Sequence, residues 1–311
     1  MINGILNVYK EKGYTSHDVV AKLRGILKQK KIGHTGTLDP DAEGVLPICL
    51  GKATKVCGLL TDKDKVYETV LLLGKTTDTQ DLSGKVIHEE PVTCGKEEIE
   101  KIILQFVGDY LQLPPMYSAL KVHGKKLCDL ARAGVEVERT PRMVQIFSID
   151  IKEISLPRVR MRVHCSKGTY IRTLCHDIGA AAGCGGCMES LLRTQAAGFQ
   201  LQDSCKISKI EEEVRLIRSQ DPHKELTRED FKELVRSTDS VFLQYPKVCV
   251  RAEYSKLLYN GNPLQKECIL GWQESYEKGA LRIYDQKQAF VGIYQWEEDV
   301  GYIRPIKIFM E

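Results

Sequence analysis

The sequence predicts a mixed α/β (α+β) fold with a large N-terminal part and a smaller, β-rich C-terminal part. Over most of the chain, segments with the two-residue period of strands are interspersed with segments of helical spacing. After Tyr245 only short strand patterns occur, separated by glycines and charged turns. The chain has 311 residues, and a typical domain holds roughly 100–200 residues. We therefore expect two domains, at residues 1–243 and 244–311.

The composition is that of a folded globular protein rather than a fibrous or disordered one. Hydrophobic residues make up 42% of the chain and charged residues 28%. The 45 basic and 42 acidic residues leave a formal net charge of only +3. Any surface for a polyanionic partner must therefore be local.

The N-terminal residues and the cysteines indicate a compartment. The first residues lack the long apolar region of a signal peptide, and no apolar stretch approaches the roughly 20 residues that span a bilayer. The 11 cysteines are an odd number scattered along a long chain, which favours reduced thiols. We expect a cytoplasmic protein that does not contact a membrane.

The predicted elements follow in order from the N-terminus. Residues 4–9 have the pattern of a strand, and Ser16 is a suitable N-cap for a helix whose apolar positions run from Val19 to Leu27. A glycine-rich loop comes next. Beyond it, apolar runs predict buried strands at residues 45–50 and 66–73, with one helix at residues 53–60 between them.

Later elements include a strand with one basic face. Residues 97–107 have helical spacing, and residues 147–151 and 159–165 alternate like strands. In the last of these, Val159, Met161, Val163 and Cys165 alternate with Arg158, Arg160, Arg162 and His164. The basic face is suited to RNA phosphates, but a solvated sheet face accounts for it equally well. Both interpretations stay open at this point.

A charge-rich segment separates the two expected domains. It covers residues 205–243, in which residues 226–235 are weakly helical. The strands of the C-terminal part are expected at residues 281–284, 289–294 and 302–309. This part is therefore expected to be a small β-rich domain.

The loop at residues 33–44 concentrates turn-forming and reactive residues. In GHTGTLDPDAEG, Pro40 biases Asp39 away from helical angles and presents its carboxylate from a stiff, extended backbone. The residue types alone leave open whether Asp39 and Asp41 merely hydrogen-bond their own turn. A Walker-type phosphate loop does not fit, because no lysine follows the second glycine.

Five strings in one order extend this loop into a family signature. They are GHTGTLDPDAEGVLPICLGKATK, KVYETVLLLGKTTDTQD, QLPPMYSALKVHGKKLCDLARAG, SKGTYIRTLCHDIG and LLRTQAAGF. Together they resemble the TruB family, the bacterial tRNA pseudouridine-55 synthases, and the ending FVGIYQWEEDVGYIRPIKIF is similar to the PUA-like RNA-binding domain of that family. The resemblance implies a pseudouridine synthase fold with a mixed, largely antiparallel sheet. It also implies isomerisation of uridine 55 in the T-arm loop of tRNA, and it allows a tRNA-folding role.

The resemblance further implies roles for single residues. Asp39 matches the catalytic aspartate, and Arg172 matches the arginine that pairs with it. The other matches belong to the substrate site: Tyr67 packs against the target base, Tyr170 lines the pocket, Leu191 contacts the uracil, and His34 helps to hold the RNA with the base flipped out.

The residue types suit this chemistry independently of the family. Breaking the N1–C1′ bond of uridine and joining C5 to C1′ needs an anionic group near the ribose, either to attack C1′ or to take a proton from C2′. A neighbouring arginine lowers the pKa of such a carboxyl. Aromatic stacking, at roughly 1–3 kcal/mol per base, offsets much of the cost of extruding the uridine, which favours an aromatic residue such as Tyr67.

Basic residues flank these motifs and are expected to contact RNA phosphates. They are Lys28, Lys30, Lys31, Lys121, Lys125, Lys126, Arg139 and Arg142. Residues 115–142 resemble the RNA-gripping thumb insertion of the bacterial enzymes, which guide-dependent relatives lack. The insertion favours a stand-alone enzyme over a guide-dependent rRNA synthase, and a noncatalytic RNA-binding or tRNA-folding protein is the second alternative.

The implied reaction requires no cofactor or metal, and tRNA is the expected partner of a monomer with no protein partner. Cys184 and Cys187 have CxxC spacing near Cys175 and His176, but a strong zinc site shows paired CxxC knuckles. Residues 9–11 read Tyr-Lys-Glu where the family usually has Asp-Lys-Pro. This departure removes no catalytic group.

Overall fold

The computed structural model describes residues 1–122 and 124–310, and its secondary structure is mixed α/β. The helices of this part are α1 (Ser16–Leu27), α2 (Cys57–Thr61), α3 (Lys96–Leu104), α4 (Leu127–Arg132), α5 (Ile171–Ala181), α6 (Ile207–Gln220) and α7 (Ser255–Tyr259). Its strands are β1 (Gly4–Lys10), β2 (Ile32–His34), β3 (Glu43–Leu50), β4 (Lys65–Leu73), β5 (Lys75–Thr77), β6 (Val86–Glu89), β7 (Gly108–Gln112), β8 (Lys121–Val122), β9 (Lys125–Lys126), β10 (Arg142–Ser155), β11 (Arg158–Cys165), β12 (Gly186–Ala196), β13 (Phe199–Gln200), β14 (Val235–Arg236), β15 (Lys247–Cys249), β16 (Ala280–Tyr284), β17 (Phe290–Glu297) and β18 (Tyr302–Ile308). None of the helices in this described part combines the length and apolar character needed to cross a bilayer.

Ten strands form one large sheet. The strands β14-β1-β3-β12-β4-β11-β10-β7 are neighbours in that order, β2 pairs with β3, and β13 pairs with β12. Among these described strand pairs, all are antiparallel except β3 with β12. The mixed, largely antiparallel sheet implied by the family resemblance is therefore confirmed.

One face of the large sheet carries the helices in two groups. The strand register places Lys10, Gly44, Arg193 and Tyr67 side by side across β1, β3, β12 and β4, so these residues share that face. On one side of this row, α1 and α6 pack on β1 and β3 in one apolar core. On the other side, α3 and α5 pack on β4, β10 and β11 in a second core. We call the row where the two cores meet the junction.

The opposite face of β1 and β3 packs against the C-terminal part. Ile5 and Val45 lie in one apolar cluster with Phe242, Ile293 and Phe309. Strands β15-β16-β17-β18 form a separate four-stranded sheet with its own buried core. The β-rich C-terminal region is thus confirmed, while the boundary at residue 243 and the PUA-like character of this region stay predictions.

The predicted strands and helices are largely confirmed, but the cap of α1 differs from expectation. Thr15, not Ser16, is the N-cap, and it forms a capping box with Asp18. The Asp18 N–H donates to Thr15 Oγ1 at 3.0 Å, and the Thr15 N–H donates to Asp18 Oδ2 at 2.8 Å. Ser16 is buried inside the helix, where its hydroxyl is available for another contact.

Two predicted helices are also corrected. Residues 53–60 are not one helix, because a 3-10 helix at Gly51–Val56 precedes α2. Residues 226–235 are not an α-helix either. Val235 in this segment pairs with Leu6 of β1 and gives that strand a hydrogen-bonded neighbour, so sheet pairing overrides a weak helical pattern. The helix of the charged connector is α6.

A thumb-like segment, residues 113–141, projects between β7 and β10. Gln112 ends β7 and pairs with Arg142, the first residue of β10, so the segment leaves and rejoins the sheet at one point. Within it, β8 and β9 form a hairpin that is followed by α4. This segment contains most of the insertion expected at residues 115–142, and its role in gripping RNA stays a prediction.

Candidate active site

Asp39 lies in the loop between β2 and β3, at the junction. The preceding residue, Leu38, is buried in the core under α5, whereas the Asp39 side chain is 40% exposed. Asp39 Oδ2 lies 3.0 Å from Nε of Arg172, a residue in the first turn of α5 whose side chain is only 6% exposed. The fold thus brings together the two residues that the motifs pair as carboxylate and arginine.

Further contacts fix the orientation of the Arg172 guanidinium. Nη1 donates to the carbonyl oxygen of Thr79 at 3.1 Å, and Nη2 donates to that of Tyr117 at 2.8 Å. Asp81 Oδ2 lies 3.6 Å from Nη1. Because the guanidinium is a planar fork, contacts to its two Nη atoms also set the direction of Nε. They aim Nε at Asp39.

Two opposing effects act on the Asp39 carboxyl. Burial is the larger effect and raises its pKa above the ordinary value of 3.8, while Arg172 lowers it. The arginine therefore acts in the expected direction, while burial makes the net shift of the pKa upward. A raised pKa makes the carboxylate a stronger base than an exposed aspartate.

Buried polar side chains from β1 and α1 hold the loop that carries Asp39. Lys10 is fully buried, and its Nζ donates to the Ala42 carbonyl oxygen at 2.6 Å. Burial lowers the pKa of Lys10 to about 8. The Ser16 hydroxyl accepts a hydrogen bond from the Leu38 N–H at 2.9 Å. Neither Lys10 nor Ser16 is predicted as a site residue by the sequence.

Arg193 holds the same loop from β12. It is 1% exposed and donates from Nε to the Val45 carbonyl at 2.7 Å and from Nη2 to the Gly36 carbonyl at 3.2 Å. Gly44 lets the backbone of β3 lie close to the backbone of Arg193. Its φ is +106°, and a Cβ at this position would lie 2.3 Å from the Arg193 carbonyl oxygen. The motif LLRTQAAGF contains this arginine, but the predicted site residue within the motif is Leu191.

Tyr67 and Leu191 lie on the helix-covered face beside this loop. Tyr67 pairs with Arg193 across β4 and β12, and Leu191 pairs with Thr69 two residues away on the same face. Burial raises the pKa of the Tyr67 hydroxyl, and the neighbouring Arg193 guanidinium acts to lower it. The charge of Asp39 also acts on this hydroxyl. The structure therefore brings Tyr67 and Leu191 to the junction that holds the carboxylate.

Tyr170 directly precedes α5. Its N–H donates to Gln112 Oε1 at 2.8 Å, and its carbonyl oxygen accepts from Gln112 Nε2 at 3.0 Å. The residue is half-buried, and burial raises the pKa of its hydroxyl. Tyr170 and Arg172 thus share the start of α5, and Gln112 is a contact that the sequence does not predict.

His34 lies beside a basic pocket. It ends β2, and its ring centroid is 5.4 Å from that of His17 on α1. Burial and the charges of neighbouring groups lower the pKa of His34, which favours the neutral ring. The pocket has a volume of about 520 Å³, and its lining includes Arg24, Lys30 and Lys31. Two predicted phosphate-binding lysines therefore lie close to His34.

Of the other predicted RNA-backbone residues, Lys28 is the C-cap of α1, and the rest lie on the thumb-like segment or at its end. Lys121, Lys125 and Lys126 are exposed on the β8–β9 hairpin. Arg139 hydrogen-bonds to the backbone of the segment itself at 3.0 Å, and Arg142 is exposed at the start of β10. The structure groups the three lysines on one hairpin, away from the core.

The arginines of β11 lie on the face of the sheet opposite to α5, because the apolar side of this strand packs in the core under that helix. Acidic residues oppose them. Glu189 Oε2 lies 2.7 Å from Nε of Arg158, and Arg162 stands in register between Glu68 and Asp150. The structure does not bring this basic face to the junction.

The CxxC motif is in the interior. Cys184 and Cys187 are both buried, and the Cys184 thiol neighbours that of Cys94. Within residues 1–122 and 124–310, no group of three or more His, Cys, Asp or Glu side chains is placed to bind a metal ion.

Comparisons with known proteins identify the family of the chain. The family described as TruB family pseudouridylate synthase, N-terminal domain, matches residues 24–171, and the tRNA pseudouridylate synthase B C-terminal domain matches residues 172–242. A tRNA pseudouridine synthase B of Lachnoclostridium phytofermentans is 50% identical over 99% of this chain and 100% of its own, and one of Alkaliphilus oremlandii is 42% identical over 100% and 99%. A chain in the crystal structure of a Cbf5-Nop10-Gar1 complex aligns with a TM-score of 0.71 at 26% identity, over 99% of this chain and 85% of that one. The resemblance carried by the five motifs is confirmed, and the chain belongs to the TruB family of pseudouridylate synthases.

Proposed function

We propose that this protein is a tRNA pseudouridine synthase that isomerises uridine 55 in the T-arm loop, with Asp39 as its catalytic carboxylate. Its full-length relatives at 42% and 50% identity are named tRNA pseudouridine synthase B. The observation that carries the assignment of the site is the 3.0 Å contact between Asp39 and Arg172. In this contact a buried arginine holds a partly exposed carboxylate. The chain that carries the pair belongs to the TruB family.

Asp39 starts the proposed reaction. It either attacks C1′ of the ribose or removes a proton from C2′, and in both routes the N1–C1′ bond breaks with the electron pair going to the uracil. The base then turns and C5 bonds to C1′; this displaces the Asp39 carboxylate in the first route and is accompanied by return of the proton to C2′ in the second. The proton on C5 then leaves, and N1 takes up a proton. The raised pKa of Asp39 suits both routes, since a stronger base is the better nucleophile and proton acceptor. Because the product is an isomer of the substrate, the reaction needs no cofactor.

The residues around the junction are assigned to the flipped base. Uridine in a folded loop must leave its stack, and an aromatic or apolar surface compensates for part of that loss. Tyr67 and Leu191 share the sheet face beside the Asp39 loop, and Tyr170 stands at the start of α5. We assign these three residues to holding the uracil, and His34 to holding the RNA with the base extruded.

Exposed lysines are assigned to the RNA backbone. Lys30 and Lys31 line the pocket beside His34, and Lys125 and Lys126 lie on the hairpin of the thumb-like segment. Such positions suit phosphate contacts that fix the orientation of the tRNA without reading its sequence.

The 11 cysteines are all free thiols, which suits a monomeric enzyme acting on tRNA in the reducing cytoplasm.

The test is tritium release from unmodified tRNA labelled at C5 of uridine, with the modified position mapped. Wild-type protein is expected to release tritium from position 55. Asp39→Asn should abolish release while tRNA affinity stays within about tenfold, because the lost group does chemistry rather than anchoring. Asp41→Asn is the matched control, since Asp41 is an exposed carboxylate two residues away, and it should keep the wild-type rate. Near-normal release by Asp39→Asn contradicts the assignment of the site, and no release by the wild type contradicts the proposed function.

A further inference from the structure

Gln112 makes an unusual pair of contacts for a side chain outside the reaction. It is the last residue of β7 and is 1% exposed. Its amide meets both backbone groups of a single residue: Oε1 accepts from the Tyr170 N–H at 2.8 Å, and Nε2 donates to the Tyr170 carbonyl at 3.0 Å. Both ends of the amide are therefore satisfied, and the position of the Tyr170 peptide groups is tied to β7.

Tyr170 is the point at which α5 begins. Its φ of −98° and ψ of 108° are extended, and Ile171 is the first helical residue. Arg172 follows in the first turn, where it must reach Asp39 at 3.0 Å. Because a helix is stiff over one turn, a displacement of Tyr170 moves the backbone of Arg172 with it. The length of the Arg172–Asp39 contact therefore depends on where Gln112 holds Tyr170.

Gln112 is also the base of the thumb-like segment. It pairs with Arg142 at the point where residues 113–141 leave and rejoin the sheet. Within the segment, the Tyr117 carbonyl accepts a hydrogen bond from Arg172 Nη2 at 2.8 Å. The start of α5 is thus contacted twice, by Gln112 at the base of the segment and by Tyr117 within it.

From these contacts we propose that Gln112 is a positioning residue for pseudouridine formation: its side-chain amide holds the Tyr170 backbone, sets Arg172 against Asp39, and links the thumb-like segment to this pair. The inference rests on the proposed function. The alternative is that Gln112 only satisfies two buried backbone groups, as many buried amides do. The two differ in their effect on the reaction rate of the folded protein.

The same strand and helix offer a matched control. Tyr110, two residues before Gln112 on β7, donates its hydroxyl to Asp177 on α5. Asp177 lies about two helical turns beyond Tyr170, so this contact ties β7 to α5 without touching the start of the helix. The Tyr110 hydroxyl also interacts with the Gln112 side chain, but it takes no part in the two hydrogen bonds between Gln112 and Tyr170. Tyr110→Phe therefore removes the tie to Asp177 and keeps the ring. It separates the docking of β7 on α5 from the positioning of Arg172.

The first experiment compares Gln112→Met, which keeps the length of the side chain but not its hydrogen bonds, with Tyr110→Phe. We expect Gln112→Met to slow single-turnover conversion of unmodified tRNA at saturating enzyme by about 10- to 100-fold, with unchanged tRNA affinity. Tyr110→Phe should lower the melting temperature but keep the wild-type rate within about twofold. If Gln112→Met keeps that rate too, or if both rates fall in step with melting temperature, the inference is overturned. If the wild type forms no pseudouridine, the proposed function fails instead.

The second experiment uses Gln112→Glu and serves also if Gln112→Met does not fold. A carboxylate at this position accepts from the Tyr170 N–H but cannot donate to its carbonyl, whereas the protonated acid does both. Burial at this site raises the pKa of the introduced acid. The single-turnover rate of Gln112→Glu, divided by that of the wild type at each pH, should therefore rise as the pH falls. A ratio that is independent of pH overturns the inference.

Discussion

Arginines occupy two regions of the molecule in opposite ways. At the junction, Arg172 and Arg193 are almost fully buried and donate to backbone carbonyls of the loops around Asp39. On β11, Arg160 and Arg162 are exposed on the far face of the same sheet. The first pair positions backbone and carboxylate, whereas the second pair stands among acidic neighbours in water.

The difference shows how burial decides what a charge does. A guanidinium removed from water is costly unless every donor finds a partner, so a buried arginine fixes the groups around it. An exposed arginine that faces an acidic residue contributes little to the stability of the fold, because water and salt screen the pair. The type of a residue is therefore a poor guide to its role, whereas the face of the sheet on which the residue lies is a better guide.

Arg172→Gln should have the largest effect. It removes the charge that lowers the pKa of Asp39, so that pKa rises further. Because the reaction needs the ionised carboxylate, which exists above the pKa, the acid limb of the pH–rate profile should move to higher pH. The rate above that limb should fall by roughly 100-fold, since the carboxylate also loses its orienting partner.

The measurement is the single-turnover rate as a function of pH for wild type, Arg172→Gln and Arg172→Lys. The lysine variant keeps a charge but loses the planar fork, so it should restore the position of the acid limb more fully than the rate. An acid limb that stays in place in Arg172→Gln contradicts the electrostatic role of the arginine.

Tyr67 and Glu68 allow the two faces of the sheet to be compared directly, because these neighbours on β4 point to opposite faces. Tyr67 stands in register with Arg193 at the junction, while Glu68 stands in register with Arg162 on the far face. We expect Tyr67→Phe and Tyr67→Leu both to lose about 100-fold or more in rate, because a phenolic oxygen beside the base accepts or relays the proton that leaves C5. Glu68→Gln should leave the rate unchanged.

The deciding readout is single-turnover conversion at saturating enzyme, with tRNA binding measured separately. If the ring only stacks on the uracil, Tyr67→Phe keeps most of the rate, and Tyr67→Leu loses the roughly 1–3 kcal/mol expected of stacking. That pattern rules out the proton-transfer role and leaves packing alone.

Local patterns predict much of the fold and the centre of the site. The apolar run of β4, the alternation of β11 and the loop carrying Asp39 are all recognised from short stretches of sequence. The failures are at positions where distant strands decide the outcome. Val235, at the end of the segment 226–235, pairs with the edge of β1, which no local spacing reveals.

The sequence does not predict the residues that hold the Asp39 loop, and the physical reason is the same. Lys10 and Arg193 have the side chains of surface residues, and their burial follows from the register of β1, β3 and β12. The neighbouring sequence could have identified both residues, since Lys10 follows an apolar strand and Arg193 lies in the same motif as Leu191. Likewise, the alternation on β11 predicts a basic face but not which face of the sheet it is.

The hairpin lysines should have a smaller effect, on binding alone. Lys125 and Lys126 are exposed on the thumb-like segment, so replacing both with alanine removes phosphate contacts without disturbing the junction. Affinity for tRNA should fall, and the slope of log K against log salt should flatten by about one unit per lysine. The rate at saturating tRNA should stay that of the wild type. Unchanged affinity and slope contradict their role.

Replacing Arg160 and Arg162 with alanine should have the smallest effect. Their side chains lie on the face of the sheet opposite to α5. Arg162 also lies in register with Glu68 and Asp150, so acidic residues oppose its charge. We expect tRNA affinity, its salt dependence and the single-turnover rate to match the wild type, with the free energy of unfolding changed by no more than about 0.5 kcal/mol. Titrations of tRNA at several salt concentrations, run beside the hairpin variant, measure this directly. A flattened salt dependence equal to that of the lysine variant shows instead that the tRNA reaches the far face, and the division between the two arginine regions then fails.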